Sequence, residues 1–156
     1  MINKDEPQMN TLGDILPLSH IVLDSDASSK KRLFEQVAQQ LSQQANLPQA
    51  DVFDCLFARE RLGTTALGQG VAIPHGRHTS VSAATGAFFR LHTPINFDAP
   101  DNKPVSLVFV LLVPEAATDE HLQILSHLAS RFADKSVRDA LLTCTTAEDA
   151  RNLLIG

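Results

Sequence analysis

Val105 to Val113 is the longest apolar run in the chain, nine residues interrupted only at Ser106. That is about half of the roughly 20 residues a membrane-spanning helix needs. Apolar side chains at consecutive positions, not alternate ones, describe a strand covered on both faces, and such a strand lies between layers of helices. The rest of the chain supplies those helices. Ser28 or Ser29 can cap one whose apolar stripe is Leu33, Phe34, Val37, Ala38, Leu41 and Ala45. Pro48 separates it from a second helix, roughly 49–61, with Val52, Phe53, Leu56 and Phe57 inward. Thr118-Asp119-Glu120 opens a third, with Leu122, Leu125, Leu128, Ala129 and Phe132 apolar. Shorter helices are predicted at about 135–142 and 146–155, the last capped by Thr146. Strands are predicted at His20–Leu23, about 84–91 and 105–113. Residues 67–73 read as extended and Pro74 as their stop. Helices before, between and after three or four strands predict an α/β layer structure, its strand order open. A turn of helix near Thr11–Leu16 would begin a single domain over 11–156. Residues 1–10 are polar, mixed in charge and without a signal-peptide core, and are expected to be a flexible tail.

Charge and cysteines narrow the function. Lys plus Arg number 13 against 18 Asp plus Glu, a net charge of −5. A mildly acidic chain lacks the basic field of a nucleic-acid binder. Cys55 and Cys144 are the only cysteines, far apart, which excludes a disulfide scaffold and fits a reducing cytoplasm. No membrane insertion is expected.

The segment Gly63-Thr64-Thr65-Ala66-Leu67-Gly68-Gln69-Gly70-Val71-Ala72-Ile73-Pro74-His75-Gly76 concentrates glycines, hydroxyls and a histidine held directly after a proline. Glycines let backbone N–H groups approach an anion, and threonine hydroxyls add donors. No Gly-Lys-Ser/Thr follows, so this is no Walker loop, and Ile73 stands where a dinucleotide fingerprint would end in glycine. His75 and His78 are three apart, but no third ligand has suitable spacing, and no metal or other cofactor is expected. His20, His92 and His127 read as packing or surface positions, and Cys55 as core.

The run Gly68-x-Gly70-Val71-Ala72-Ile73-Pro74-His75-Gly76, preceded by Arg59-Glu60 and Gly63-Thr64-Thr65, resembles the type-2 (mannitol/fructose-like) enzyme IIA domain of the bacterial sugar phosphotransferase system. Thr93-Pro94-Ile95, Phe97-Asp98-Ala99, Leu111-Leu112-Val113-Pro114, His121-Leu122 and Ala133-Asp134-Lys135 extend the likeness from about Leu12 to Leu154. Within that family the chain is most similar to the nitrogen-regulatory branch. One departure is Ala66, where the pattern has glycine. The resemblance implies a mixed β-sheet flanked by helices with its site in a shallow depression. It implies that His75 is the phosphorylated nucleophile, supplied by an HPr-type phosphohistidine carrier. His121 and Arg59 would steady the phosphoryl group. The regulatory partners it implies include potassium transport and sensor-kinase systems.

Elementary chemistry agrees. A neutral imidazole is nucleophilic near pH 7, and its second nitrogen should donate to a fixed acceptor such as a backbone carbonyl. Phosphoryl transfer asks mainly for positioning and for N–H or cationic groups around the phosphate oxygens. Arg59 offers a planar fork, although an arginine near a helix C-terminus also answers the helix dipole. His121 offers an N–H, and Thr64 and Thr65 offer hydroxyls. Leu62 and Leu67, flanking the loop, are candidates for an exposed apolar docking patch. The rival readings are a sugar-specific enzyme IIA serving a separate IIB, a binding module never phosphorylated, and a metal-dependent hydrolase.

Overall fold

The computed structural model describes residues 11–116 and 119–156, so the expected tail at 1–10 and the Thr118 cap lie outside the described residues. After helix α1 (Leu12–Ile15) and a 3-10 turn (Leu18–His20) come β1 (Ile21–Ser25), α2 (Lys30–Ala45) and α3 (Gln49–Arg61). Three short strands follow: β2 (Ala66–Gly68), β3 (Val71–Ala72) and β4 (His75–His78). Two long ones, β5 (Thr85–Ile95) and β6 (Val105–Pro114), precede α4 (Asp119–Ala133), α5 (Lys135–Thr143) and α6 (Ala147–Ile155).

The sheet is mixed, in the order β1-β5-β6-β3-β2, with β4 also paired to β6. β5 and β6 run antiparallel, while β1 lies parallel to β5 and both β3 and β4 lie parallel to β6. From Leu107 to Val113, β6 sends alternate side chains into two separate cores: Val108, Val110 and Leu112 into one, Leu107, Phe109, Leu111 and Val113 into the other. That alternation is why its sequence is apolar at every position. The first core is closed by Leu33, Phe34, Val37 and Leu41 of α2 and by Val52 and Leu56 of α3. The second is closed by α1, α4, α5 and α6, through Ile15, Leu128, Leu141 and Leu154 among others. Ser29 caps α2 by accepting from the Arg32 N–H, and Thr146 caps α6 through the Asp149 N–H.

Three expectations need correction. Residues 67–73 are not one extended segment. The chain reverses between β2 and β3 at Gly68, Gln69 and Gly70, all with positive φ (92°, 58° and 78°), a run that glycine makes accessible. Pro74 does not end the pairing either. It lacks an N–H, but its carbonyl accepts from the Leu111 N–H at 3.0 Å and β4 resumes beside β6 at His75. On α4 the buried row is Ile124, Leu128 and Phe132, whereas Leu122 and Ala129 are exposed. Spacing alone could not choose between those two rows, because each repeats at three or four residues. Ala66, the departure from the family pattern, lies within β2 opposite Ala72, where a side chain is accommodated without strain.

Candidate functional site

Where the two helical layers approach strand β4, a depression of about 650 Å³ opens. α3 contributes Arg59 and Cys55, β4 contributes His75 through His78, and α4 contributes His121, Leu122 and Leu125. Leu111 and Val113 of β6, Asp54 and Ala58 of α3 and Leu62 just after it also line the depression. Three of the residues singled out from the sequence, Arg59, His75 and His121, therefore share one site.

His75 begins β4, and its Nδ1 lies 2.8 Å from the carbonyl oxygen of Ile73. A carbonyl can only accept, so the Nδ1 hydrogen donates to it and Nε2 keeps the lone pair. Pro74, between donor and acceptor, fixes its own φ and restricts Ile73, so the ring is held by a stiff three-residue loop. His121 stands in the first turn of α4. Its Nδ1 is buried and has no partner among the described residues. An orphaned buried N–H is rarer than an under-used acceptor, which favours the tautomer with the hydrogen on Nε2. The two rings are thus complementary, one with a bare Nε2 and the other with an Nε2–H.

Arg59 lies in the last turn of α3, and its Nη1 donates to the Gly63 carbonyl at 2.9 Å. This is its one recorded hydrogen bond among the described residues, out of the five N–H groups a guanidinium carries.

Thr64 and Thr65 do not join the depression. Thr64 donates its hydroxyl hydrogen to the Phe97 carbonyl at 2.5 Å, and Thr65 donates its own to Glu60 Oε1 at 2.6 Å. A hydroxyl has one hydrogen, so neither retains a donor for an anion. The glycine–hydroxyl loop is instead a piece of structure. Leu62 is 85% exposed and lines the depression, whereas Leu67 is exposed on β2 away from it. Leu122, 60% exposed, lies on the α4 side.

Sequence reasoning missed three contributors. Glu60 is 9% exposed and occupies the same row of α3 as Val52 and Leu56. A carboxylate on an apolar row demands buried partners, and that spacing was the available signal. Cys55 is half-buried, packed against the first core and also lining the depression; its thiol lies 3.3 Å from the Arg77 carbonyl, and burial pushes the thiol above its ordinary pKa. Opposite it, any Cβ on Gly76 would collide with the Cys55 sulfur, so glycine after the histidine is what lets α3 approach β4. Arg77 brings a second guanidinium to the lining, and nothing in its spacing announced it. The other histidines lie elsewhere: His20 is buried with Nδ1 2.9 Å from the Gly86 carbonyl, and His92 and His127 are exposed. Among the described residues no group of three or more His, Cys, Asp or Glu is placed to hold a metal ion, and no helix is long and apolar enough to cross a membrane.

A mixed sheet between two helical layers thus carries, along one depression, a post-proline histidine, an arginine and a second histidine. The chain belongs to the type-2 EIIA family: the model of the phosphoenolpyruvate-dependent sugar phosphotransferase system, EIIA 2, matches residues 14–156. It is 41% identical over 150 residues to a nitrogen regulatory protein of Pseudomonas aeruginosa, covering 94% of this chain and 96% of that one. The crystal structure of the nitrogen regulatory protein IIA-Ntr from Neisseria meningitidis superposes with a TM-score of 0.88 at 62% identity, covering 92% of this chain and 98% of that one. The crystal structure of IIA mannitol from Escherichia coli, 23% identical with a TM-score of 0.73 over 88% of this chain and 97% of that one, shares the fold. The expected fold class and family are thereby borne out, as is the likeness to the nitrogen-regulatory branch.

Proposed function

We propose that this chain is a phosphoryl carrier whose phosphorylation state regulates partner proteins. His75 is the acceptor, and the donor is a phosphohistidine on an HPr-type carrier. The observation that carries the reading is the 2.8 Å hydrogen bond from His75 Nδ1 to the Ile73 carbonyl, which leaves Nε2 as the nucleophile in a depression shared with Arg59 and His121. The Nε2 lone pair forms the bond to phosphorus as the bond to the carrier's ring nitrogen breaks, returning its electron pair to that ring. The positive charge developing on the His75 ring is eased by the same Nδ1–H···O bond. Arg59 and the His121 Nε2–H face the phosphoryl oxygens, where preorganised donors act most strongly. Thr64 and Thr65 shape the loop.

Leu62 and Leu122 at the rim give the carrier an apolar contact around the reacting groups. The regulatory branch is favoured over a sugar-specific one by the likeness to nitrogen regulatory proteins. A phosphoryl group in the depression adds about two negative charges and three acceptor oxygens, enough to make or break a docking contact there.

The test is incubation with the general phosphotransferase components and phosphoenolpyruvate, read by intact mass. One acid-labile phosphate per chain is expected on wild type and none on His75→Ala, with unchanged far-UV circular dichroism. Phosphate on the His75→Ala protein would overturn the assignment.

A further inference from the structure

We infer that Glu60 is a positioning residue for phosphoryl transfer, acting through Arg59; this rests on the proposed role of His75. Glu60 and Arg59 are neighbours at the end of α3, yet their side chains go to opposite places: Arg59 to the depression, Glu60 into the protein at 9% exposure. The buried carboxylate accepts three hydrogen bonds. Oε1 takes the Thr65 hydroxyl at 2.6 Å, and Oε2 takes the Thr65 backbone N–H at 3.2 Å and the Lys30 ammonium at 3.0 Å. Lys30 comes from the first turn of α2 and also lies 5.1 Å from the centre of the Phe97 ring. The Phe97 carbonyl in turn holds the Thr64 hydroxyl. Residues 64 and 65 are therefore fixed to α2, α3 and the segment after β5 at once.

The link to the site is one residue away. Gly63, immediately before this clamped pair, presents the carbonyl on which the Arg59 guanidinium rests at 2.9 Å. On its N-terminal side Gly63 is tied to the end of α3, its N–H donating to the Glu60 carbonyl at 3.2 Å. The peptide that carries its carbonyl is fixed on the other side by the attachment of the next two residues. Without the carboxylate, Thr65 loses two partners, the loop relaxes, the Gly63 carbonyl shifts, and the guanidinium loses its rest. Displacements of about an ångström at a transfer site cost up to about a hundredfold in rate. Glutamine can mimic the acid here. Its oxygen can accept from the Thr65 N–H and Lys30 while its amide donates to the Thr65 hydroxyl oxygen. Only the charge is lost.

The experiment is single-turnover phosphoryl arrival at His75 from the phosphorylated carrier, with thermal melting in parallel. The proteins are wild type, Glu60→Ala, Glu60→Gln, Thr65→Val, Arg59→Ala and the double variant Arg59→Ala/Glu60→Ala. The expected result is a slowing of about tenfold or more in Glu60→Ala, a smaller one in Thr65→Val and substantial recovery in Glu60→Gln. In the Arg59→Ala background, removing Glu60 should lower the melting temperature again but leave the transfer rate where Arg59→Ala put it. A merely structural Glu60 would not show that split. If Glu60→Ala does not fold, Thr65→Val and the double variant Arg59→Ala/Thr65→Val carry the same comparison. Wild type that accepts phosphate while Glu60→Ala and Thr65→Val match its rate, or lose as much rate without Arg59 as with it, overturns the inference and leaves the role of His75 intact. Wild type that accepts no phosphate from the carrier overturns both.

Discussion

On one face of the sheet, α2 and α3 are joined at their ends by a single buried carboxylate, with Lys30, Glu60 and Thr65 in one network. On the other face the helices are tied down by arginines donating to backbone carbonyls. Arg90 reaches the carbonyls of Leu23, Leu141 and Cys144, Arg131 that of Leu153, Arg138 those of Phe132 and Ala133, and Arg151 those of Gly13 and Leu16. Most of these carbonyls end helices, where no N–H remains to satisfy them and the dipole favours a cation. The same residue type therefore does different work on the two faces. Arginines of the second face are occupied by structure, whereas Arg59 on the first makes one such bond among the described residues and lines the depression. Strand β4 lies between, and the site takes one group from each side: Arg59 from α3 and His121 from α4.

That two-sided construction can be broken first at His121. A single preorganised donor to a developing charge is worth about 2.7–4 kcal/mol, or roughly 10² to 10³ in rate. His121→Ala should leave His75 able to accept phosphate but slow its onward passage by about a hundredfold. His121→Gln, which keeps a donor nearby, should be milder, and neither variant should carry phosphate at residue 121. Single-turnover rates of arrival and departure check this. Equal rates in all three proteins would mean that only the α3 face serves the site.

The next effect separates the two kinds of arginine. Arg90→Ala strips three carbonyls of a charged donor and should cost about 2–3 kcal/mol in urea unfolding, with transfer rates unchanged. Arg59→Ala should do the reverse, losing under about 0.5 kcal/mol of stability while slowing transfer. If both variants lose stability alike, the division between structural and site arginines fails.

How much of this was legible in the chain follows from which signals are local. β6 was readable because burial on both faces leaves an uninterrupted apolar run, and α2 because its stripe and Ser29 cap agree. His75 was readable because proline, glycine and histidine in sequence leave the ring a near neighbour, Ile73, as acceptor. β4 was hidden because Pro74 reads as a stop, and only the long-range partner β6 shows that pairing resumes beyond it. Thr64 and Thr65 look like anion ligands in isolation. Their hydroxyls are taken by Phe97, distant in sequence, and by Glu60, whose inward direction depends on the face α3 presents. The arginine ties of the second face span up to 138 residues and leave no local trace.

The smallest effect tests how helices on the second face begin. α3, on the first face, starts at Pro48 without a side-chain cap, whereas α5 starts at Asp134, whose carboxylate accepts from the Ser136 hydroxyl at 2.7 Å and the Ser136 N–H at 2.9 Å. Those bonds, the hydroxyl first and the backbone N–H second, hold the carboxyl below its ordinary value of 3.8, with Arg131 adding a weaker pull. A carboxyl whose pKa is lowered by folding stabilises the folded chain above its unfolded value, and that contribution disappears as pH falls through the lowered one. Asp134→Ala should therefore melt below wild type at neutral pH, with the gap closing progressively once pH falls below about 3.8. Asp134→Asn keeps a neutral cap that does not titrate, so its melting temperature relative to Asp134→Ala should stay constant with pH. Asp14 and Asp101, also held low by hydrogen bonds, titrate in all three proteins and cancel in the difference. A gap between wild type and Asp134→Ala that is the same at both ends of the range would mean the carboxylate's charge contributes nothing, and that a neutral side-chain cap holds the start of α5 equally well.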